Sequence, residues 1–382
     1  MTEPRRRILL VLGTSAGGVG AHVRMLAAGL AGRGHTVIVA GPRSTEEAFG
    51  FTASGARFAE VPIADRPNPR HDLASAARLR ALVRDADAVH AHGLRAGALT
   101  ALAGIGAGRR PRLVVTLHNA VTAGGAVGAV YRALEVIVAR RADHVLVVSP
   151  DLGDRMRSRG ARRVEAAVVP APPLAEATRS ADEVRAELAH RVGGSVADRP
   201  ILLTVARLAQ QKGLETLLDA AAGPYPGDPL FVVAGEGPLR PELQARIDAE
   251  GLPVLLYGWA APADLLQVAA AVVVPSRWEG QPLSVQEALR AGRAIIATRV
   301  GGIPDMVRDA AVLVPVGDPA ALREAIAGLL GDPGSAARLA RASARRGREL
   351  PGEAEALHSV LEAYGPGQGW AGEGRTDWIR SE

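Results

Sequence analysis

Two glutamates, Glu279 and Glu287, stand eight residues apart in the stretch 272–302, VVVPSRWEGQPLSVQEALRAGRAIIATRVGG. The run Val272–Val274 reads as a buried strand that ends at the Pro275-Ser276 break. Glu279 lies in the polar loop beyond it, and helical spacing begins near Leu283, with Val285 and Leu289 on one face. Gly292 stops that helix and Ala294–Ala297 starts another buried strand, so the stretch is a βαβ unit. Ligands of open parallel sheets bind beyond the carboxyl ends of the strands, where the loop puts Glu279 and the first turns of the helix put Glu287. The residues between them, Gly280, Gln281, Pro282 and Leu283, lead into a helix N-terminus whose unbonded N–H groups suit a phosphate. Two acids that accept hydrogen bonds from hydroxyls, beside an N–H cradle, suit a phosphorylated sugar. Acids in these positions also serve solubility and the helix dipole, so the pair alone leaves both accounts open.

Two cations belong to the same picture. Arg207 follows the strand Ile201–Val205, and Lys212-Gly213 opens the next helix, whose inner face carries Leu214, Leu217 and Leu218. Both converge on the carboxyl edge that holds Glu279, where a planar guanidinium fork and a compact ammonium can neutralise a diphosphate. Solvated surface cations are the plainer account. Against it, Lys212 is the only lysine in a chain that otherwise uses arginine.

The first half of the chain offers a glycine-rich turn and, at the ends of two strands, His90, His92 and His118. Gly17 and Gly18, in GTSAGGVGAHV, would let a ligand approach the backbone at a helix N-terminus. No lysine follows these glycines, so a P-loop fails, and G-x-G-x-x-G is not met in register. Gly13–Gly17 fits the G-x-S-x-G nucleophile elbow, but no HGGG-type oxyanion segment accompanies it, which disfavours a serine hydrolase. His90 and His92 point the same way from one strand without a third ligand for zinc, so no metal is expected. His118 ends the next strand, where an imidazole can bond a hydroxyl or steady developing charge.

Strands are expected near Ile8–Leu12, Thr36–Ala40, Phe58–Pro62, Ala88–Ala91, Leu113–Leu117 and His144–Val148. After the proline cluster Pro170–Pro173 they resume near Ile201–Val205, Leu230–Ala234, Val254–Leu256, Val272–Val274, Ala294–Ala297 and Val312–Val314. Helical spacing runs from Pro333 to about Tyr364, and the Gly-rich tail with Trp370 and Trp378 reads as loose. At 382 residues this is two α/β domains, with aliphatic cores because apolar content is 48% and aromatic content 3%. There are no cysteines, hence no disulfides and no thiolate chemistry, and nothing calls for an oxidising compartment. A net charge of +5 spread along the chain gives nucleic-acid binding little support. The apolar run Ile8–Leu12 is too short for a signal peptide, and no run approaches the roughly 18 residues of a membrane span.

The wording EGQPLSVQEAL, with RLAQQKG upstream, resembles the E-x7-E and R-x4-K segments of the family 4 glycosyltransferases, retaining enzymes of GT-B architecture. Gly235-Glu236-Gly237-Pro238 is similar to that family's G-x-G-P turn, and Thr116-Leu117-His118 to its TxH segment. The likeness spans roughly Ile8 to Leu361, and departs where the family often has P-N-G and this chain has Pro170-Ala171-Pro172. It implies two Rossmann-like doubly wound domains facing a central crevice: 1–172 for the acceptor and 173–348 for the donor. A helix at 349–364 would cross back to the first domain, before a flexible tail at 365–382. By the same resemblance, Glu279 contacts the transferred sugar and Glu287 the ribose, Arg207 and Lys212 stabilise the leaving diphosphate, and His118 reaches the donor sugar. Gly17 and Gly18 lie against the diphosphate, the backbone at Gly258 against the nucleobase, and His92 and Arg95 on the acceptor side. The implied partners are a nucleoside diphosphate sugar and a hydroxyl acceptor (glycan, glycolipid or small molecule), with no cofactor and no metal, in a cytoplasmic protein. A GT-B nucleotide-sugar epimerase and a noncatalytic sugar-nucleotide-binding scaffold are the rivals. The helix with Arg78, Arg80 and Arg84 is the candidate for peripheral contact with the inner membrane face, although a solvated face explains it more simply.

Overall fold

The computed structural model describes residues 4–15, 17–64, 69–106, 110–120 and 125–365. Ala16 and the tail that carries Trp370 and Trp378 lie outside the described residues. The chain divides into two compact units, Met1–Val169 with Pro351–Glu382, and Pro170–Leu350.

The first unit is built on seven parallel strands: β1 (Arg7–Leu12), β2 (Thr36–Gly41), β3 (Arg57–Glu60), β4 (Ala88–His92), β5 (Arg112–Leu117), β6 (His144–Val147) and β7 (Val164–Ala166). Their order is β3-β2-β1-β4-β5-β6-β7. The second has six: β8 (Ile201–Val205), β9 (Leu230–Ala234), β10 (Val254–Gly258), β11 (Ala269–Val274), β12 (Ala294–Thr298) and β13 (Val312–Val314), ordered β10-β9-β8-β11-β12-β13. Parallel strands covered by helices on both faces need apolar residues throughout, as in Ile8–Leu12 and Ala294–Thr298, where every residue is buried. Leucine, valine, isoleucine and alanine fill these cores, with Phe51 and Phe231 the aromatics among the largest fully buried side chains.

In each sheet the strand order reverses at one place, between β1 and β4 and between β8 and β11. A crevice opens at such a switch point because the flanking helices leave on opposite faces. The candidate residues lie there: Gly17 and Gly18 beyond β1, His92 at the end of β4, and Arg207 and Glu279 beyond β8 and β11.

Two features depart from expectation. Strand β7 carried no signal, because it is three residues long and exposes Glu165 and Ala166. The helical run after Pro333 is two helices, Pro333–Glu349 and Glu353–Tyr364. Pro351 forces Leu350 out of helical geometry to φ −65°, ψ 137°, and Glu355 restarts the helix by accepting from the Gly352 N–H at 2.8 Å. The second of these helices belongs to the first unit. There Leu357 fills the space left by Gly29 on the helix Gly18–Gly32, and the Arg112 Nε donates to the Ala363 carbonyl at 2.7 Å. Among the described residues no helix is long and apolar enough to cross a membrane. On the basic helix Pro69–Asp85, Arg80 donates to the Ile105 carbonyl at 2.8 Å and Arg84 pairs with Asp85 at 3.9 Å.

Candidate active site

In the second unit Glu279 is buried and firmly held. Its Oε1 lies 2.6 Å from the Lys212 Nζ and accepts from the Ser276 hydroxyl, also at 2.6 Å. Two loops are stitched together to make this contact. The Arg277 N–H donates to the Gln211 carbonyl at 2.8 Å, and the Gln211 side-chain amide donates to the Trp278 carbonyl at 2.9 Å. Gly213 has φ +60°, and a Cβ there would sit 2.2 Å from the Pro275 carbonyl oxygen, so the lysine loop reaches the acid loop because residue 213 is glycine. On the far side Gly301, at φ +52°, would press a Cβ to 1.8 Å from the Glu279 carbonyl oxygen, and the Gly302 N–H donates to that oxygen at 3.0 Å. Thr298 donates to the Ser276 carbonyl at 2.5 Å, which fixes the hydroxyl that holds the carboxylate.

Arg207 is exposed and makes no ion pair among the described residues, which leaves its guanidinium available to an anion. The helix Leu283–Arg290 begins without a side-chain cap and without an acid in its first turn. Its first N–H groups are therefore open to a ligand. Pro282 is the N-cap and has no N–H, so of Gly280, Gln281, Pro282 and Leu283 it is the one that offers no donor.

Glu287, on the same helix, is half-buried and its carboxylate makes no hydrogen bond among the described residues. Burial raises its pKa to about 7, against a smaller opposing pull from Arg290. Arg290 spends donors elsewhere, on the carbonyls of Ala171 and Pro172 at 2.7 Å each, while the Gln286 side chain accepts from the Ala171 N–H at 2.8 Å. The proline segment is thus fastened to the Glu287 helix. Gly258 ends β10, and Trp259 beyond it is 82% exposed.

In the first unit, Gly17 precedes the helix Gly18–Gly32, which has no acid in its first turn. Ser15 accepts from the Gly20 N–H at 3.1 Å, so the serine of the elbow-like turn caps a helix. Behind this turn His22, His90 and His92 are buried and His118 is half-buried. His92 Nδ1 lies 3.2 Å from His118 Nε2, and the His22 ring is edge-on to both at 5.7 Å between centroids. His90 lies 4.2 Å from the His92 ring, with Nδ1 bonded to the Tyr364 hydroxyl at 2.9 Å and Nε2 to Thr116 at 2.7 Å. Burial and mutual repulsion depress these imidazoles, His90 to about 3 and, by burial alone, His118 to about 4. All four are neutral at pH 7. Among the described residues no three acids or imidazoles are arranged to hold a metal ion.

Arg95, expected on the acceptor side, is buried and committed elsewhere, to Asp72 at 2.6 Å and the Ala64 carbonyl at 2.7 Å. Sequence reasoning weighed His90 only as a metal ligand, and missed His22, Ser276, Gln286 and Tyr364. His22 alone left a trace, as a polar residue on a helix face otherwise made of Val23, Leu26, Ala27 and Leu30.

Residues 17–172 match the model described as a Glycosyl transferase 4-like domain, and residues 199–332 match Glycosyl transferases group 1. The α-D-kanosaminyltransferase of Streptomyces kanamyceticus is 32% identical over 216 residues, 54% of this chain and 55% of the relative. A D-inositol 3-phosphate glycosyltransferase of Xylanimonas cellulosilytica is 34% identical over 191 residues, 47% of this chain and 45% of that one. The chain spans about half the length of the curated relatives it matches. In fold it is similar to Anabaena HepE, solved with UDP and glucose, with a TM-score of 0.78 at 19% identity over 94% of this chain and 99% of that one. Sucrose-phosphate synthase of Thermosynechococcus elongatus gives 0.75 at 21% identity over 94% and 98%. At these identities the likeness is one of fold, the paired Rossmann-like sheets of GT-B proteins.

Proposed function

The chain belongs to the family 4 glycosyltransferases, and we propose that it moves a sugar from a nucleoside diphosphate donor to a hydroxyl acceptor with retention of the anomeric configuration. The observation that carries this reading is the edge of the second sheet: a buried Glu279 held by Lys212 and Ser276, an unpaired Arg207, an uncapped helix start and an unpartnered Glu287.

Arg207, Lys212 and the N–H groups of Gly280, Gln281 and Leu283 take the diphosphate. Glu279 orients the transferred sugar, the carboxylate of Glu287 accepts from the ribose hydroxyls, and the backbone at Gly258 borders the base. In the first unit His118 serves the sugar, Gly17 and Gly18 the diphosphate and His92 the acceptor. The bond between the anomeric carbon and the diphosphate oxygen breaks, the acceptor oxygen bonds the same face of that carbon, and its proton passes to the departing phosphate oxygen. Charge builds on the diphosphate, where two fixed cations stand in the role a metal would otherwise fill; each is worth about 3 kcal/mol of barrier, roughly a hundredfold in rate. A cytoplasmic location is part of this reading. The inositol phosphate relative makes a cyclitol the first acceptor to try.

The test is thermal stability of the wild type and Lys212→Ala against UDP, GDP, ADP and TDP, followed by donor turnover with and without cyclitol acceptors. A ligand at a hundred times its Kd adds about 2.7 kcal/mol. One diphosphate is expected to stabilise the wild type and not the variant. Stabilisation by none of the four, with no donor turnover, removes the reading; donor conversion that ignores the acceptor replaces it with an epimerase.

A further inference from the structure

His92 has one nitrogen beside a partner and one without. Nδ1 lies 3.2 Å from His118 Nε2, while Nε2 is buried with no hydrogen-bond partner. A neutral imidazole carries a single N–H, and the two placements of that proton are unequal. A proton on Nε2 would bury a donor with nothing to accept it, whereas a bare lone pair there is the more tolerable orphan. The proton therefore belongs on Nδ1, where it is donated to His118 Nε2. That nitrogen of His118 must then be bare, and the His118 proton sits on Nδ1, which makes no bond among the described residues. Both rings stay neutral, because burial depresses each of them and the neighbouring imidazoles depress His92 further. His90 backs the arrangement from below, with both of its nitrogens bonded to hydroxyls.

We infer that His92 is a positioning residue: its Nδ1–H sets the tautomer of His118, which meets the substrate as a neutral hydrogen-bond donor through Nδ1. This rests on the reading that His118 meets the sugar. A donor locked in this form bonds a hydroxyl or ring oxygen and gives up no proton, which agrees with a reaction whose proton passes between acceptor and diphosphate.

Long-range 1H–15N spectra of the full chain at pH 7, assigned with His92→Asn and His118→Asn, report both tautomers without any need for activity. The expected pattern is Nδ1 protonated and Nε2 bare on both rings; a proton on His118 Nε2 overturns the inference. In turnover, His92→Leu keeps the volume and removes the donor, and is expected to lower kcat about tenfold with donor KM changed less than twofold. His92→Asn, whose amide reaches the place of Nδ1, should restore kcat to within about threefold. Equal losses in the two variants, or none in His92→Leu, count against it. Should the wild type transfer no sugar, the proposed function fails and the spectra still decide the tautomer.

Discussion

The carboxyl edge of the first sheet is lined by four histidines held neutral, whereas that of the second carries an arginine, a lysine and two carboxylates. Both edges bury titratable groups at a switch point, and each resolves the cost in its own way. The imidazoles bond one another and neighbouring hydroxyls and give up their charge; Glu279 is met by a cation. Neutral imidazoles suit hydroxyls, while exposed or paired cations suit phosphate, so under the proposed function the first edge serves chiefly hydroxyl recognition and the second chiefly phosphate recognition. Glu287 follows the first rule on the second edge, since it is desolvated without a partner.

The largest effect should come from taking the charge out of the charged edge. Lys212→Ala is expected to lower donor turnover about a hundredfold. It also leaves Glu279 buried against Ser276 alone, a loss of about 3 kcal/mol by analogy with other broken buried pairs, visible as a lower Tm of the second unit. A variant that melts lower yet turns over donor normally would separate the structural pair from the chemistry.

Gly301→Ala tests whether the acid loop is held by close packing. The new methyl would meet the Glu279 carbonyl at 1.8 Å on a backbone at φ +52°, and should cost about 2 kcal/mol with loss of nucleotide affinity. Unchanged affinity would mean that the loop relaxes without moving the carboxylate.

Acidification should move the two units in opposite directions. Glu287 has a pKa near 7 when folded and 4.5 in a free chain, so the folded second unit binds the extra proton between those values; its stability is full below pH 4.5 and falls as pH rises to about 7. The histidines are depressed from 6.5, so the stability they give the first unit is full above that pH and falls on acidification toward about 4. Calorimetry between pH 7 and pH 5 should show one transition falling and one rising, and Glu287→Gln should remove the rise. If Glu287 binds ribose as proposed, the hydroxyls favour its ionised form, and nucleotide affinity should strengthen as pH rises through 7.

Much of this was legible because parallel α/β chains announce themselves. The β8 and β9 bounds follow from apolar runs closed by Arg207 and Gly235, and the acids and cations of the second edge lie within short, ordered segments. What could not be read depends on residues distant in sequence. His22, His92 and His118 meet through three separate elements, and the commitment of Arg95 to Asp72 is invisible without the fold. Strand β7 had too few apolar positions to register, and the fastening of Ala171 by Gln286 and Arg290 joins residues more than a hundred positions apart.

The smallest test asks whether the histidine edge is tuned from its far side. Tyr364 closes the last helix of the first unit, and its hydroxyl meets His90 at 2.9 Å inside the core. Tyr364→Phe keeps the ring and its packing but leaves His90 Nδ1 buried without a partner, a cost of about 1 kcal/mol, or a few degrees in Tm. His90 packs against His92 with ring centroids 4.2 Å apart, so the change should also loosen the imidazole cluster and lower turnover about twofold. Nucleotide binding, which the proposed function assigns chiefly to the charged edge, should not respond. A drop in nucleotide affinity in this variant would show that the two edges are coupled, and the division of recognition between them would fail.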